Sequence, residues 1–552
     1  MSRTKRRARP AAVQPSAPAG GLAVIAHDGA DPSTRRNTLI LFVALFALSV
    51  AVLIYWVRDV PYRVGADEGV YLRYAKSVSH AGPGSLPSLT RSYLQGADPG
   101  TWPPPTRVGF VLPAAVFMRV TENGTPLPLT YLSTCMFLAS IVTIFWFVRR
   151  NGSPTLALVT ALFVACSPLL MGLSRRALTD STIAFLTFAL LASFYEMVAR
   201  GSRLASVIFG IVLAWLLLTK ETAFLALPVL FVLGGVLAYR RRTIDRAVLL
   251  AGSLATAGGL LLAGVVFVVA AGGINPLMTL AGHLLRSPAS NVYVVQYFRG
   301  PWYRFLVDLV ILSPLTALLA VGFSFHYALN RRRDGGDELT DFVALYGLLT
   351  LAVNMLLAIH TGGYATAPRQ LLPLEFPLRF LAACGLLAIA RAAGQRLSPW
   401  IIVAGCIAVA SQDAVTFHRA FVTRKLYDPS TPEILRTLNF LPQSTQQGLV
   451  CESDNPPPRP SATTGIESLI ETGIQALYTR GNGPEAELIF REVLSRDPAN
   501  YAAMSHLALL LENCGRVVEA RSLWTRVLPA AERLGDGKVA ATARERLAKF
   551  DW

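Results

Sequence analysis

Two short runs in the 552-residue chain place carboxylates and cations where a proton could be moved and an anion held. They are Asp67-Glu68 and Ser174-Arg175-Arg176-Ala177-Leu178-Thr179-Asp180. A carboxylate can take a proton from a hydroxyl, and a lysine or arginine can stabilise a departing phosphate. Lys220-Glu221, Arg369 and Arg107 add charges at the ends of apolar runs. Asp67-Glu68 opens a segment, Glu68 to His80, with Val70, Tyr71, Tyr74, Ala75 and Val78 at helical spacing. That pattern predicts an amphipathic helix on a bilayer surface with Asp67 as its N-cap. Plainer roles stand beside the chemical ones. Asp67 can simply cap, Glu68 can favour the positive helix end, Lys220 and Glu221 can pair locally, and the other cations can snorkel or pack loops.

The elements that must position these residues are membrane spans. The chain is 53% apolar and only 15% charged, with mean hydropathy +0.45, which excludes an ordinary soluble enzyme of this length. Its formal net charge of +17 comes from short clusters between apolar runs, not from one basic face, so no nucleic-acid partner is expected. Residues 1–36, rich in Arg, Ala and Pro, read as a disordered cytoplasmic tail. Apolar runs at 37–57, 127–148, 155–173, 181–199, 204–219, 222–239, 247–271, 302–329, 340–360, 371–390 and 398–416 predict about eleven spans. The shorter run 108–120, within an outer loop 58–126, reads as an interfacial helix. This count puts Arg35-Arg36, Arg149-Arg150, Arg200 with Arg203, Arg240 to Arg242, Arg331 to Arg333, and Arg391 with Arg396 on the cytoplasmic side. An odd count then sends the C-terminal part outside. Arg175 and Arg176 fall on the outer side against this bias, and an anionic ligand would give them a reason to be there.

Residues 421–464, with a Pro-rich run at 455–460, read as a linker. From 465 to 552 a repeat appears: Gly481, Ala486 and Phe490 are matched by Gly515, Ala520 and Trp524 at the 34-residue tetratricopeptide period. Pro498 closes the first repeat and Glu532 stands at the equivalent place in the second. A helix over 538–549 would cap the stack. Such a tail can dock a protein partner or only pack as a cap. The six cysteines show no CxxC spacing; Cys135, Cys166, Cys384 and Cys406 lie in apolar runs, and Cys451 and Cys514 lie in the C-terminal part.

By topology alone, one carboxylate pair and several cations converge on the outer face, the charge pattern needed for a phosphorylated lipid head group beside a general base. Five ordered motifs then carry a resemblance: 66–75 (Ala-Asp-Glu-Gly-Val-Tyr-Leu-Arg-Tyr-Ala), Pro103-Pro104-Pro105, 174–180, 218–222 (Leu-Thr-Lys-Glu-Thr) and 368–373 (Pro-Arg-Gln-Leu-Leu-Pro). Over residues 38 to 420 the chain resembles the polyprenyl-phosphate-sugar-dependent transferases of the GT-C fold. Within them it is most similar to the protein O-mannosyltransferase and lipid A aminoarabinose transferase group, glycosyltransferase family 39. The resemblance implies an all-α polytopic GT-C-like domain over 37–420, followed by the tetratricopeptide-like domain. It implies a plasma-membrane enzyme that moves a sugar from a polyprenyl-phosphate carrier to a hydroxyl of a protein, lipid or glycan, with inversion, in the cell envelope. Asp67 matches the family's presumed catalytic carboxylate, with Glu68 beside it, and Asp180 matches its second acidic position. Arg176, Lys220 and Arg369 are expected to contact the donor phosphate or carrier. Where related enzymes carry a Lys before the Pro pair this chain has Trp102, and Arg107 is the cation expected to substitute. Paired acids can bind Mg²⁺ or Mn²⁺, but one pair supplies too few ligands to define a site.

Two other classes fit the same pattern. One is a non-catalytic membrane scaffold whose tail recruits an envelope partner. The other is a transporter or flippase for a lipid-linked saccharide, which would carry ionisable residues near the midplane of broken spans. The sequence reading places charges at span ends, which disfavours transport.

Overall fold

In the computed structural model the described residues are 32–57, 67–95, 103–241, 246–290, 301–334, 337–361, 368–424, 426, 434, 465–479, 482–514, 516–534 and 536–550. The chain divides into two compact units, Met1–Ile434 and Leu435–Trp552. Among the described residues all regular elements are helices, which fits apolar runs in a medium where each backbone polar group must be satisfied within its own segment. Eight of these helices are long and apolar enough to cross a membrane, or up to ten if two bent pairs each count as one span. Large apolar side chains such as Leu41, Phe231, Leu261, Phe325 and Trp400 are exposed on them, as a lipid-facing surface requires.

Each of the eleven expected segments is helical, with three corrections to its form. Arg203–Thr219 has 17 residues. At 1.5 Å per residue it rises about 25 Å, short of the roughly 30 Å hydrocarbon core. The segment 155–173 is bent by 57° between Pro154–Ala165 and Pro168–Ser174. The segment 302–329 is bent by 117° between Arg304–Leu312 and Pro314–Arg331, so it is no straight span. Both breaks fall at Ser-Pro, Ser167-Pro168 and Ser313-Pro314. Proline has no N–H to give and its ring forces the preceding residue out of the α region. Ser167 then caps the new helix by accepting from Leu170 N at 3.3 Å.

The first helix starts at Pro32, so Arg35 and Arg36 lie within it; the rest of the expected tail, 1–31, is outside the described residues. Val108–Thr121 is helical as expected. The amphipathic helix is Asp67–Ala81, so Asp67 begins the helix and does not cap it. Its apolar face, Val70, Tyr71, Tyr74, Ala75 and Val78, is buried in one cluster with Phe110, Val111 and Ala114. It packs on protein, where the sequence reading laid it on lipid. Close approach elsewhere depends on glycine: a Cβ on Gly259 would meet Gly210 O at 2.6 Å, which is how Arg203–Thr219 and Arg246–Ala271 lie backbone to backbone. Residues 274–290 form helix Ile274–Ser290, with the His283 ring edge-on to Tyr93 at 5.7 Å. Residues 291–300 are outside the described residues.

The second unit contains Ile466–Ile474 continued by a π turn, then Gly483–Arg496, Tyr501–Asn513, Val517–Arg533 and Gly537–Phe550. Asn482 and Asn500 cap their helices by accepting from Glu485 N and Ala503 N. Ala486, Phe490, Ala520 and Trp524, the residues that carry the repeat, are all buried. Gly481 and Gly515, and most of the linker 421–464, lie outside the described residues. Trp524→Ala should cost about 3–5 kcal/mol by leaving a cavity. Limited proteolysis of the full chain in detergent is expected to cut the variant within 501–533 under conditions where the parent survives.

Candidate active site

Four segments bring charged side chains to one place, and local contacts fix each segment. The turn 174–180 is tied to helix Leu127–Asn151: Thr134 Oγ1 donates to Ser174 O at 3.0 Å and Ser133 Oγ donates to Leu178 O at 2.9 Å. Asp180 follows as the first residue of helix Asp180–Arg200. Lys220 stands in extended conformation at the end of Arg203–Thr219, before the 3₁₀ turn Glu221–Leu225. The end of that helix is clasped by Val108–Thr121, because Trp215 Nε1 donates to Gly109 O at 2.7 Å and Gly109 has no side chain to meet Thr219. Arg369 lies in the 3₁₀ turn Pro368–Leu371 that leads into Leu372–Ala392.

The ion pairs fall into two kinds by length. Glu68 is 1% exposed, accepting from Arg176 Nη2 at 2.7 Å and from Ala177 N at 3.0 Å. Arg107 makes a forked pair with Glu221, Nε at 3.0 Å and Nη2 at 2.8 Å, and its Nη1 donates to Tyr71 Oη at 2.6 Å. These are full charge-assisted hydrogen bonds. The other kind is longer. Arg369 Nη1 is 3.8 Å from Asp67 Oδ2 and 3.6 Å from Asp180 Oδ2, and Lys220 Nζ is 3.7 Å from Asp180 Oδ1. Those distances exceed hydrogen-bond length. Asp180 is 1% exposed, yet neither carboxylate oxygen has a hydrogen-bond partner among the described residues. Asp67 is the more open of the two acids, its side chain 31% exposed.

Lys220 and Arg369 also line a cavity of about 80 Å³ whose walls are mainly apolar, including Ile183, Leu216, Val229, Tyr346 and Val353, with Thr350 and Asn354 among its polar lining. Burial pushes the Lys220 ammonium below its ordinary range, partly opposed by the Asp180 carboxylate. The Tyr71 phenol is pushed up to about 12 by burial, so it stays protonated at neutral pH. Burial works against the Arg107 charge, but Glu221 and Tyr71 more than offset it and hold it firmly cationic.

The structure therefore brings Asp67, Asp180, Lys220 and Arg369 together. Glu68 with Arg176, and Arg107 with Glu221, stand in pairs at hydrogen-bond length. Lys220 and Glu221 do not pair with each other as the plain reading had it; they look to Asp180 and Arg107. Nor does Arg175 await an anion. It donates to Trp56 O at 3.0 and 2.7 Å and to Phe421 O at 3.4 Å, with its guanidinium over the Trp56 and Phe417 rings. It caps the carbonyl end of Pro32–Val57, which explains a cation there without a ligand. Sequence reasoning missed Tyr71, although it sits one turn after Asp67. It also missed Glu375, Arg379 and Asp413, which lie buried within membrane-length helices and correct the expectation that charges fall only at span ends. Among the described residues no three acidic, His or Cys side chains gather for a metal, and between Asp67 and Asp180 stands the Arg369 guanidinium.

No family model matches the chain, and no curated protein matches it. Among solved structures it aligns with two crystal structures of ArnT from Cupriavidus metallidurans, one bound to undecaprenyl phosphate and one in the apo state. Each is 18% identical with TM-score 0.42, over 88% of this chain and 79% of that one. Resemblance at that level carries no weight for substrate or mechanism. The helices define an integral, polytopic, all-α membrane protein.

The depressed Lys220 gives a pH test. An anion held by its ammonium should be lost as pH rises through a value below 10.5, earlier than for an ordinary lysine. Binding of undecaprenyl phosphate to the protein in nanodiscs should show that alkaline limb, and Lys220→Arg should move it upward. Binding unchanged up to pH 10.5 in the parent would contradict this.

Proposed function

We propose that this protein is a membrane glycosyltransferase of the GT-C type, transferring a sugar from a polyprenyl-phosphate carrier to an acceptor hydroxyl at the extracytoplasmic face with inversion. The observation that carries the proposal is the cluster of Asp67, Asp180, Lys220 and Arg369, two of whose members, Lys220 and Arg369, line a cavity with apolar walls. In a single displacement the acceptor oxygen attacks the anomeric carbon, its proton passes to Asp67, and the bond from that carbon to the phosphate oxygen breaks. Lys220 and Arg369 take up the charge of the departing lipid phosphate, which needs a cation more than an acid. Asp180 lies at ion-pair distance from both cations, and among the described residues these are the charges that face its buried carboxylate. The walls of the cavity suit a prenyl chain. Glu68 with Arg176, and Arg107 with Glu221, act as fixed struts around this space. Acceptor and sugar are left open by these features.

The outward assignment of the tail rests on the positive clusters and gains support from Cys514, which is disulfide-bonded, since such bonds persist in oxidising compartments. The tetratricopeptide-like helices are then an extracytoplasmic module.

One observation favours the transporter reading: the two broken helices and the ionisable trio Glu375, Arg379 and Asp413 inside the bundle. The trio is fully buried, whereas the first cluster reaches solvent through Asp67, whose side chain is 31% exposed. A scaffold would have no use for Asp180, whose burial without hydrogen bonds is costly.

Incubating the purified protein in nanodiscs with a panel of polyprenyl-phosphate sugars and acceptor peptides tests the transferase. Turnover of one donor is expected, and Asp67→Asn, nearly isosteric, should lower kcat by about 10²-fold or more. Turnover equal to the parent's in a well-folded Asp67→Asn protein would reject Asp67 as the base.

A further inference from the structure

The helix that follows Arg369 contains a second ionic centre with no place in the chemistry above. Arg379, 0% exposed, sits one turn after Glu375, 2% exposed, and reaches Asp413, 0% exposed, on helix Ser398–Phe417. Its Nε donates to Glu375 Oε2 at 3.3 Å, its Nη2 to Ser313 Oγ at 2.7 Å and its Nη1 to Thr316 Oγ1 at 3.1 Å, while another Nη1 bond goes to Asp413. Glu375 Oε2 also accepts from Ser167 Oγ at 2.7 Å. Ser167 and Ser313 are the two residues at which the chain breaks its membrane helices.

Such a trio is a poor way to gain stability. Two carboxylates face one guanidinium, and charge inside a bilayer is expensive, so apolar side chains of similar volume would serve a bundle as well or better. What the trio supplies is geometry. Ser167 starts the short helix Pro168–Ser174, whose end delivers Arg176 and, after one turn, Asp180. Glu375 lies just beyond the turn that carries Arg369. The guanidinium fork of Arg379 then locks that helix to the break at Ser313 and to Asp413.

We infer that Arg379, with Glu375 and Asp413, is a positioning centre: through Ser167 and Ser313 it sets the two broken helices against Leu372–Ala392, and so holds Arg369 at contact distance from Asp180. The inference rests on the transferase reading only for its effect on turnover; the mechanical link stands on its own. None of the three touches substrate. An Arg at 379 is needed for its fork, not its charge, because its donors reach two other segments, Ser313 with Thr316 and Asp413, as well as Glu375 on its own helix.

The test uses the full chain in nanodiscs with Ser167→Ala, Ser313→Ala and Arg379→Lys. The serine variants leave the charges untouched, so they remain informative if Arg379→Lys folds poorly; because Ser167→Ala also removes the cap on Leu170 N, exchange at 368–371 is the deciding readout for that variant. Hydrogen exchange at 168–176 and 368–371 should quicken by about 3–10-fold in each, the size of one lost hydrogen bond, with 483–496 unchanged. Because Arg369 helps depress Lys220, its displacement should also move the alkaline limb of undecaprenyl-phosphate binding to higher pH, which simple loss of folded protein would not do. Exchange at both segments and the limb all unchanged in folded variants would overturn the inference. Faster exchange at both segments in a protein that turns over no lipid-phosphate sugar would uphold the positioning centre and remove the transferase reading.

Discussion

A charge taken out of water into a helical bundle must be matched closely or be kept for a ligand, and this chain does both within a few residues. Glu68 with Arg176 and Arg107 with Glu221 are matched at hydrogen-bond length. Asp180 is buried as deeply as Glu68, but its cations stand 3.6 and 3.7 Å away. The contrast separates closely matched charges from long pairs. Struts that tight can hold four segments while the groups between them remain loose enough to exchange one partner for another.

The loose cluster exists because the helices around it are interrupted. A straight helix from 155 to 173 would carry the 174–180 turn away along the bundle axis. The Ser167-Pro168 break turns the chain, and the threonine and serine of Leu127–Asn151 then pin that turn so that Asp180 faces Lys220. Arg369 arrives from the far side on a 3₁₀ turn. Arg175 meanwhile closes the carbonyl end of the first helix, so two adjacent arginines on one turn perform unrelated tasks. Charge counting alone cannot separate them, because direction is set by which carbonyl or carboxylate each guanidinium can reach.

Much of this was legible in sequence. Apolar runs located the helices, the spacing from Val70 to Val78 marked an apolar face though not the protein surface that covers it, and the 34-residue echo of Ala486 and Phe490 in Ala520 and Trp524 found the residues that pack the tail. Topology alone sent Asp67, Glu68, Arg107, Arg176, Asp180, Lys220 and Arg369 to one face of the bilayer; which of them come close together was not readable. What sequence could not give is partner choice. The pairing of Glu68 with Arg176 spans 108 residues and that of Arg107 with Glu221 spans 114, distances at which spacing carries no information. Segment shape was missed where Ser-Pro sits inside an otherwise continuous apolar run, although proline's missing N–H was a readable warning. Glu375 and Arg379, four apart in such a run, were a second one.

The central claim is that Lys220 and Arg369 stand ready to exchange Asp180 for a lipid phosphate beside Asp67. A density map of the protein in nanodiscs with undecaprenyl phosphate tests it most directly. The account predicts phosphate within hydrogen-bond distance of Lys220 and Arg369, the prenyl chain along Leu216, Val229 and Val353, and Asp67 facing the same space. Phosphate bound elsewhere, with the four side chains drawn into hydrogen-bonded pairs among themselves, would contradict it.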